Sequence, residues 1–302
     1  MASPPPLLLL AVLLLSSAGA GGSEGGVRFD ASRAADISWH PRAFLYEGFL
    51  SEVECDHLVA LAKRAGMEKS TVVDGKSGLS VPSEARTSSG MFLAKKQDEI
   101  VTRIEERIAA WTMFPIENGE PMQILRYGQG EKYEPHFDYI HGRPYSAPGG
   151  HRVATVLMYL SNVKMGGETV FPDSEAKLSQ PKDETWSDCA EQGFAVKPVK
   201  GNALLFFSLH PNATFDRNSL HGSCPVIEGE KWSATKWIHV KSFDNRRRIA
   251  AKCEDEHALC PKWAAQGECA KNPGYMVGSS VTPGYCRKSC NVCTTDKPIN
   301  GM

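Results

Sequence analysis

The stretch Tyr127–Tyr139 reads Y-G-Q-G-E-K-Y-E-P-H-F-D-Y, and its second half has the composition of a short β-strand. His136 and Asp138 are two residues apart in it, so on an extended strand their side chains point to the same face. An imidazole and a carboxylate placed in this way are two of the three ligands of a 2-His-1-carboxylate iron site. The motif alone is weak, because a polar strand whose His and Asp only form hydrogen bonds has the same pattern.

The region around this stretch indicates a β-rich core. From about Pro121, short β-rich runs alternate with turns that contain Gly and Pro, and no helical period interrupts them. The predicted strands are Met122–Tyr127, Tyr133–Tyr139, Val153–Leu160, Glu168–Phe171, Gly201–Leu209 and Ser233–Phe243. Several short strands joined by such turns predict a double-stranded β-helix, or jelly roll, in which distant strands come together.

Two amphipathic helices precede this predicted core and make the fold class α+β. The sequence S-E-V-E from Ser51 has the pattern of a capping box and predicts a helix that ends near Ala65. Asp98 begins a second predicted helix. Its apolar stripe consists of Ile100, Ile104, Ile108 and Trp111. The polar stretch Ser70–Gly90 between the helices is predicted to be a loop, either an ordinary surface loop or a lid over a site.

Composition and charge limit the classes of function. The chain has 302 residues, of which 41% are hydrophobic, so it can bury one large core beside a smaller module. Its formal net charge of −1 provides no bulk field that would favour nucleic acid or an anionic membrane surface. We therefore expect no nucleic-acid partner.

The N-terminus and the cysteines indicate an oxidising compartment. The apolar run Leu7–Leu15 is followed by Ala18 and Ala20, which fit a signal-peptidase site with cleavage after Ala20. No Lys or Arg precedes the run, so an uncleaved N-terminal anchor is the alternative, and it would be the only attachment to a membrane. Six of the nine Cys lie in the last fifty residues, which is typical of a small disulfide-bonded module.

The second imidazole of an iron site must come from a distant strand. His221 is the best candidate, and Lys231 follows ten residues later. Ser233, Thr235 and Trp237 share the parity of Lys231, so on a strand all four side chains face one side. An inward ammonium group costs free energy unless it meets an anion, so an anionic carboxylate ligand would explain Lys231. The alternative is a surface Lys on an edge strand.

The combined pattern of four residues is more specific than any of its parts. It consists of H-x-D, a long gap, H, and K ten residues later: His136, Asp138, His221 and Lys231. This pattern resembles the iron- and 2-oxoglutarate-dependent dioxygenases and, within them, the prolyl 4-hydroxylases. Four segments look like signatures of that family: Tyr133–Asp138, Gly166–Pro172, Leu220–Val226 and Gly229–Trp232. The resemblance covers roughly residues 44–248.

The C-terminal cysteines resemble a second family. Their spacing, C-x6-C-x8-C-x16-C-x3-C-x2-C, looks like that of a ShK toxin-type (ShKT) domain. A dioxygenase followed by such a tail resembles the plant-type prolyl 4-hydroxylases in particular. In addition to the signal peptide or N-terminal signal anchor predicted at 1–20, the resemblance implies a dioxygenase domain at 27–248 and a ShKT domain at 253–293.

The resemblance also implies a role for each site residue. The implied iron ligands are His136, Asp138 and His221, which leave positions for 2-oxoglutarate and O2. Lys231 would pair with the distal carboxylate of 2-oxoglutarate, beside the hydroxyl groups of Tyr127 and Thr169. The implied peptide groove is lined by Tyr133, Arg152 and Trp237, although simple core packing is the alternative for Tyr133 and Trp237. Arg86 in the polar stretch would contact either the substrate or the lid.

The implied activity is 4-hydroxylation of peptidyl proline. O2 and 2-oxoglutarate would be consumed, succinate and CO2 released, and L-ascorbate required to rescue oxidised iron. Peptidyl proline favours an extended polyproline II conformation, so the expected partners are proline-rich polypeptides of the secretory pathway or cell wall. The implied location is the lumen of the endoplasmic reticulum, with the Golgi as an alternative.

Three other functions are compatible with parts of the sequence. The nearest is a hydroxylase for another amino acid, such as lysine. A peptide-binding protein that has lost catalysis is disfavoured because all four residues of the iron and cosubstrate pattern are intact. A toxin-like channel blocker that acts through the tail is disfavoured because the tail follows a full enzyme domain.

The cysteine pairing is a separate prediction. The resemblance implies Cys253–Cys293, Cys260–Cys286 and Cys269–Cys290, although spacing alone allows fifteen connectivities. A Cys189–Cys224 bridge is our hypothesis, because Cys224 lies three residues after His221 and the bridge would brace that strand end. Cys55 is expected to be a buried thiol. Asn212-Ala213-Thr214 is a glycosylation sequon in a predicted loop.

Overall fold

Two antiparallel sheets and a layer of helices form the main part of the protein. The computed structural model describes residues 28–73, 80–139, 149–244, 254–255, 257–278 and 284–292. Within these ranges the predicted α+β fold is confirmed, since the two sheets face each other as in a jelly roll and helices pack on the larger sheet. The described helices include none that is long and apolar enough to cross a membrane, and the predicted leader at 1–20 lies outside the described residues.

The described strands are short and numerous. In chain order they are β1 (Ala34–Trp39), β2 (Arg42–Tyr46), β3 (Glu68–Lys69), β4 (Thr71–Val73), β5 (Ser80–Pro82), β6 (Ser89–Leu93), β7 (Met122–Tyr127), β8 (Tyr133–His136), β9 (Arg152–Tyr159), β10 (Met165–Gly166), β11 (Thr169–Phe171), β12 (Phe194–Val196), β13 (Ala203–Phe207), β14 (His221–Ser223), β15 (Val226–Glu228) and β16 (Lys231–His239). All pairs between them are antiparallel.

The strand order brings distant segments of the chain together. The larger sheet has the order β1-β2-β13-β9-β16-β7-β6-β3, and the smaller has the order β12-β11-β14-β8. Two further pairs, β10-β15 and β4-β5, form separate ribbons. Because β8 and β14 are neighbours, the two strands that carry the predicted imidazole ligands lie side by side.

The two long helices begin where their capping residues predict. They are α1 (Glu52–Ala65), α2 (Glu99–Thr112), α3 (Asp188–Glu191), α4 (Cys260–Ala265), α5 (Glu268–Lys271) and α6 (Pro273–Met276), with 3-10 turns at Ala31–Arg33, Ile116–Asn118, Glu175–Leu178 and Arg217–Ser219. Ser51 Oγ accepts from the Glu54 N–H at 3.2 Å, and the Glu54 carboxylate accepts from the Ser51 N–H at 2.9 Å, which completes the capping box. Asp98 Oδ1 accepts from the Val101 N–H at 2.8 Å in the same way.

The two faces of the larger sheet bury different sets of residues. On one face, alternate residues of β16 such as Trp232, Ala234 and Ile238 pack in a core with Leu58 of α1 and Ile104 of α2. The other face meets the smaller sheet. The core between the sheets consists of Ala43, Tyr159, Phe171, Phe194, Val196, Leu204 and Phe206. The helices therefore support one side of the sheet and leave the other for a site.

Several sequence predictions need correction. The strand expected at Tyr133–Tyr139 ends at His136, and Asp138 lies in the bend that follows, because pairing with β14 stops at the His136–His221 pair. The stretch Ser70–Gly90, predicted as a loop, contains the β4-β5 ribbon and the start of β6. Helix α3 also interrupts the strand region, where no helix was predicted.

Candidate active site

Three potential metal ligands converge between the two sheets. His136 ends β8 and His221 begins β14, and the two residues are direct partners in the antiparallel register. Asp138 follows in the bend after β8. The ligand atoms of the three side chains all lie within 4.8 Å of one another. The Asp138 carboxylate oxygens lie 3.7 Å from His136 Nε2 and 3.6 Å from His221 Nε2.

Hydrogen bonds fix the orientation of each of these side chains. His136 Nδ1 lies 2.8 Å from the Glu134 carbonyl oxygen, and His221 Nδ1 lies 2.9 Å from that of Ser219. An Nδ1–H that donates to a carbonyl leaves the Nε2 lone pair free for a metal. Asp138 Oδ2 also accepts from Thr155 Oγ1 at 2.6 Å. The three potential ligand side chains are therefore held in orientations that suit metal binding.

Electrostatics favour the same protonation states. Burial and the neighbouring His221 lower the pKa of His136 to about 3, so its ring is neutral at physiological pH. Burial opposes the charge of Asp138, but the neighbouring His221 and His136 hold the pKa of its carboxyl group below its usual value. Two imidazoles and one carboxylate are the donor set of a non-heme Fe(II) centre with open positions, so the residues fit this metal.

The metal ligands open into a cleft of about 460 Å³, a volume that includes the space at its mouth. Lys231, Ser233, Thr235 and Trp237 of β16 all line it, as their shared parity predicts. Tyr127, Tyr133, Thr169 and Arg86 line it too. The cleft therefore brings together eight of the residues that the sequence singled out, next to the three potential ligands.

One part of the cleft is suited to a carboxylate. Lys231 is 1% exposed, and its Nζ donates to Ser223 Oγ at 2.8 Å. Burial lowers the pKa of Lys231 to about 7, against the opposing effect of Glu168. The rings of Tyr127 and Tyr159 lie 5.3 and 5.8 Å from Nζ. An anionic ligand would restore the charged form of this buried group.

Unsatisfied polar atoms in the cleft also indicate a ligand. Ser233 Oγ and Trp237 Nε1 are buried and have no hydrogen-bond partner among the described residues. Leaving a buried polar atom without a hydrogen-bond partner costs about 1–3 kcal/mol of folding free energy. Such atoms are therefore rare unless a bound group forms the missing hydrogen bond. With Lys231 and the hydroxyl groups beside it, they form a donor-rich site that fits 2-oxoglutarate and a polar substrate backbone.

Comparisons with known proteins agree with this site. The family model described as 2OG-Fe(II) oxygenase superfamily matches residues 122–239, and the model described as ShK domain-like matches residues 252–293. The chain is 63% identical over 267 residues to "Probable prolyl 4-hydroxylase 7" of Arabidopsis thaliana, which covers 88% of this chain and 84% of that protein. This chain belongs to the prolyl 4-hydroxylase family.

Other prolyl 4-hydroxylases align over most of their length. "Prolyl 4-hydroxylase 2" of Arabidopsis thaliana is 56% identical over 266 residues, which is 87% of this chain and 88% of that protein. The solved structure of the viral collagen prolyl hydroxylase vCPH from Paramecium Bursaria Chlorella virus-1, as its 2OG complex, aligns with 25% identity over 65% of this chain and 94% of that chain, with a TM-score of 0.49. The predicted resemblance, including the ShK-type tail, is confirmed, and the chain is an Fe(II)- and 2-oxoglutarate-dependent oxygenase.

In and beside this prolyl 4-hydroxylase cleft, cationic and aromatic side chains stack in pairs. The Tyr133 ring stacks on the His136 ring, with 3.6 Å between the ring centroids. The Arg86 guanidinium lies over the same Tyr133 ring, 4.7 Å from its centroid. Arg86 also donates to Gln123 Oε1 at 2.9 Å. Arg152 lies over the Trp237 ring at 4.0 Å. The four residues implied for the peptide groove thus form two pairs beside the potential metal ligands.

Residues that the sequence did not identify hold this arrangement in place. Glu120, whose side chain is 12% exposed, accepts from Arg152 Nε at 2.6 Å and interacts with His239 Nε2 at 2.8 Å. Burial opposes ionisation of Glu120, but Arg152 and His239 lower its pKa to about 2. His239 has the parity of Lys231 on β16, which was the signal that could have pointed to the site. Thr155 and Ser223 gave no signal, since their partners are distant in sequence.

Among the described residues, no other histidine joins the group of potential metal ligands. His239 binds Glu120 and the Gly150 carbonyl group, not the potential metal ligands. His210 lies in a loop, and its Nε2 is 3.9 Å from Asp216 Oδ1. His141 lies outside the described residues. His221 is therefore the imidazole that joins His136, as expected.

The disulfides agree with the predicted pairing as far as the structure describes the cysteines. Cys189–Cys224, Cys260–Cys286 and Cys269–Cys290 are bonded. The predicted pair Cys253–Cys293 lies outside the described residues. Cys55 is a buried thiol, as expected, and burial raises its pKa to about 11, which disfavours the reactive thiolate form. Several disulfides in one chain are typical of secretory-type proteins.

Proposed function

We propose that this protein hydroxylates peptidyl proline at C4, using O2 and 2-oxoglutarate and releasing succinate and CO2. The observation that carries the proposal is the convergence of His136, Asp138 and His221 beside the buried Lys231 in one cleft. The relatives of this chain named prolyl 4-hydroxylases support the choice of proline over lysine.

Each group in the cleft has a separate task in this proposal. Bound Fe(II) supplies the O2 chemistry that couples decarboxylation of 2-oxoglutarate to hydroxylation. His136, Asp138 and His221 would hold the metal on one face and leave its other positions open. Lys231 would pair with the distal carboxylate of 2-oxoglutarate, with the hydroxyl groups of Tyr127 and Thr169 as further donors. Burial raises the pKa of Tyr127, so its hydroxyl remains a donor.

The peptide would lie along the stacked pairs at the mouth of the cleft. A proline-rich chain in the polyproline II conformation exposes its carbonyl groups and the flat faces of its rings. Tyr133 and Trp237 offer aromatic surfaces, and Arg86 and Arg152 offer donors that are already oriented by Gln123 and Glu120. These four residues therefore suit an extended proline-rich polypeptide better than a compact partner.

The proposed setting is the secretory pathway, with the catalytic domain in the lumen of the endoplasmic reticulum or the Golgi. The predicted leader at 1–20 would act as a signal peptide or as the N-terminal anchor of a type II membrane protein. The enzyme domain would span 27–248 and the ShKT domain 253–293. L-Ascorbate would reduce iron oxidised in uncoupled turnovers. Asn212 is exposed in its loop and would accept a glycan.

The test is 2-oxoglutarate decarboxylation by the full chain with proline-rich and lysine-containing peptides, followed by mass spectrometry of the peptide. We expect peptide-dependent CO2 release and an added oxygen on proline. An added oxygen on lysine would show that lysine, not proline, is the substrate residue, and would leave the 2-oxoglutarate-dependent hydroxylation itself unchanged. Peptide binding without CO2 release or modification would contradict an enzymatic role.

A further inference from the structure

Two buried residues of opposite charge lie near the proposed cosubstrate site and form no direct ion pair. Lys231 and Glu168 are each 1% exposed. Lys231 Nζ donates to the hydroxyl group of Ser223 at 2.8 Å. The Glu168 carboxylate accepts from the backbone N–H and the hydroxyl group of Ser187, at 3.1 and 2.8 Å. These partners are neutral, so each charge needs another source of compensation.

The backbone holds the two residues close to each other. Gly167, which precedes Glu168, has φ +70°, and a Cβ at this position would lie 3.4 Å from Lys231 Cδ. The Glu168 carbonyl oxygen accepts from the Cys224 N–H at 2.8 Å, next to the residue that binds Lys231 Nζ. Thr169 is the partner of Ser223 between β11 and β14. Glu168 therefore lies beside the strand end that contacts Lys231.

We propose that Glu168 is a positioning residue for the cosubstrate, which favours the ammonium form of Lys231 without occupying its hydrogen-bond donors. The inference rests on the proposed role of Lys231 as the partner of the distal carboxylate of 2-oxoglutarate. A carboxylate in direct contact with Nζ would compete with the cosubstrate for those donors. A carboxylate beyond contact range still acts through the low dielectric of the interior and leaves the donors free.

The other groups that face Lys231 do not supply this charge. Tyr127 of β7 and Tyr159 of β9 lie within 6 Å of Nζ, and burial raises the pKa of both phenols, so they are neutral near pH 7. Ser223 of β14 carries no charge. Among the described residues, Glu168 is the acid whose charge raises the pKa of Lys231 against the effect of burial.

The structure also fixes the Glu168 carboxylate in place. Ser187 is the N-cap of α3, and its hydroxyl group binds both Glu168 and the Ala190 N–H. Cys189 in the same short helix is bonded to Cys224, the residue after Ser223. The disulfide thus ties the segment that binds Glu168 to the strand that binds Lys231, which keeps the distance between the two charges constant.

The test compares 2-oxoglutarate binding to the full chain with anaerobic Fe(II), by titration calorimetry, in wild type and Glu168→Gln. Removing the carboxylate lowers the pKa of Lys231 further, so less ammonium is present at alkaline pH. A shift of one pH unit would weaken binding about tenfold at pH 8. At pH 5.5 Lys231 is protonated in both proteins, so we expect equal or tighter binding by the variant, since a negative charge near the dianion has been removed.

A purely structural role for Glu168 would give a different result. It would weaken binding by the same factor at pH 5.5 and pH 8, and a pH-independent ratio would overturn the proposal. Glu168→Asp keeps the charge and should bind within about threefold of wild type at pH 8; a tenfold loss in this variant would contradict the proposal even if Glu168→Gln failed to fold. Glu228→Gln, which removes an exposed carboxylate bound to Lys164, is the matched control. It should leave the affinity for 2-oxoglutarate unchanged at both pH 5.5 and pH 8.

Two further outcomes concern the proposed function and not Glu168. Wild type that binds no 2-oxoglutarate would refute the cosubstrate site. Binding that is unaffected by Lys231→Met would refute the role of Lys231, and with it the basis of the inference. If wild-type binding depends on Lys231 and the pH dependence is the same in Glu168→Gln, the inference about Glu168 alone is wrong.

Discussion

Replacing Lys231 by methionine separates the functional from the structural effect of a buried charge. Burial lowers the pKa of this amine from 10.5 to about 7, and one pKa unit corresponds to about 1.4 kcal/mol. The ligand-free protein therefore bears a cost of up to about 5 kcal/mol for the charged group. Because the unfolded chain keeps its proton up to pH 10.5, this cost is fully present below pH 7 and declines as the pH rises above it. We expect Lys231→Met to raise the free energy of unfolding at pH 6.

The same substitution removes the proposed partner of 2-oxoglutarate. Removing one member of a buried charge pair costs about 2–5 kcal/mol, so the KM for 2-oxoglutarate should rise by about 30-fold to several thousand-fold. The expected variant is thus more stable without ligand and much weaker in cosubstrate binding. A residue present only for packing or stability would not combine these two effects.

Lys236 provides a matched control on the same strand. It is 2% exposed, but it lies on the opposite face of β16 and binds Glu105 Oε1 at 2.5 Å. Lys236→Met leaves Glu105 buried without its partner, so we expect a loss of about 3–5 kcal/mol in stability. The folded fraction of this variant should keep the wild-type KM for 2-oxoglutarate, because Lys236 faces the helices and not the cleft.

Two assays decide the comparison. Urea unfolding at pH 6, followed by tryptophan fluorescence, measures stability without ligand, and 2-oxoglutarate decarboxylation measures KM. A Lys231→Met protein that is less stable than wild type and has an unchanged KM would refute the reasoning. Equal effects of the two substitutions on KM would also refute it, because the distinction between the faces of β16 would then have no consequence for binding.

Three further predictions concern the metal and the pH dependence. Asp138→Ala should abolish both turnover and retention of iron measured by elemental analysis, and a tenth of normal activity would be enough to contradict the ligand assignment. Thr155→Val removes the hydroxyl group that donates to Asp138 at 2.6 Å, so iron affinity should fall about 10–100-fold while thermal unfolding changes little. Because the dianion binds the ammonium form of Lys231, whose pKa is about 7, the KM for 2-oxoglutarate should be flat below pH 7. Above pH 7 it should rise about tenfold per unit, and a KM independent of pH up to 9 would contradict this assignment.

Local patterns predicted the elements that do not depend on distant partners. The capping residues Ser51 and Asp98 begin helices α1 and α2 because their side chains bind N–H groups three residues away. The parity of β16 correctly placed Lys231 and Trp237 on one face, since side chains alternate on any strand. Local patterns were less accurate for strand boundaries, because these depend on which strands pair with each other. Strand β8 ends at His136, and the Ser70–Gly90 stretch forms β4 and β5.

The stretch Tyr127–Tyr139, with the distant His221 and Lys231, was sufficient to predict the chemistry of this protein, because the types of ligand side chain and their order along the chain can be read from the amino-acid sequence. The groups that contact and orient those side chains became visible in the fold. The pairing of β8 with β14 sets His136 opposite His221, and the turn before β11 sets Glu168 beside Lys231. Such contacts follow from sheet register, which depends on the packing of the whole domain and so has no local signal.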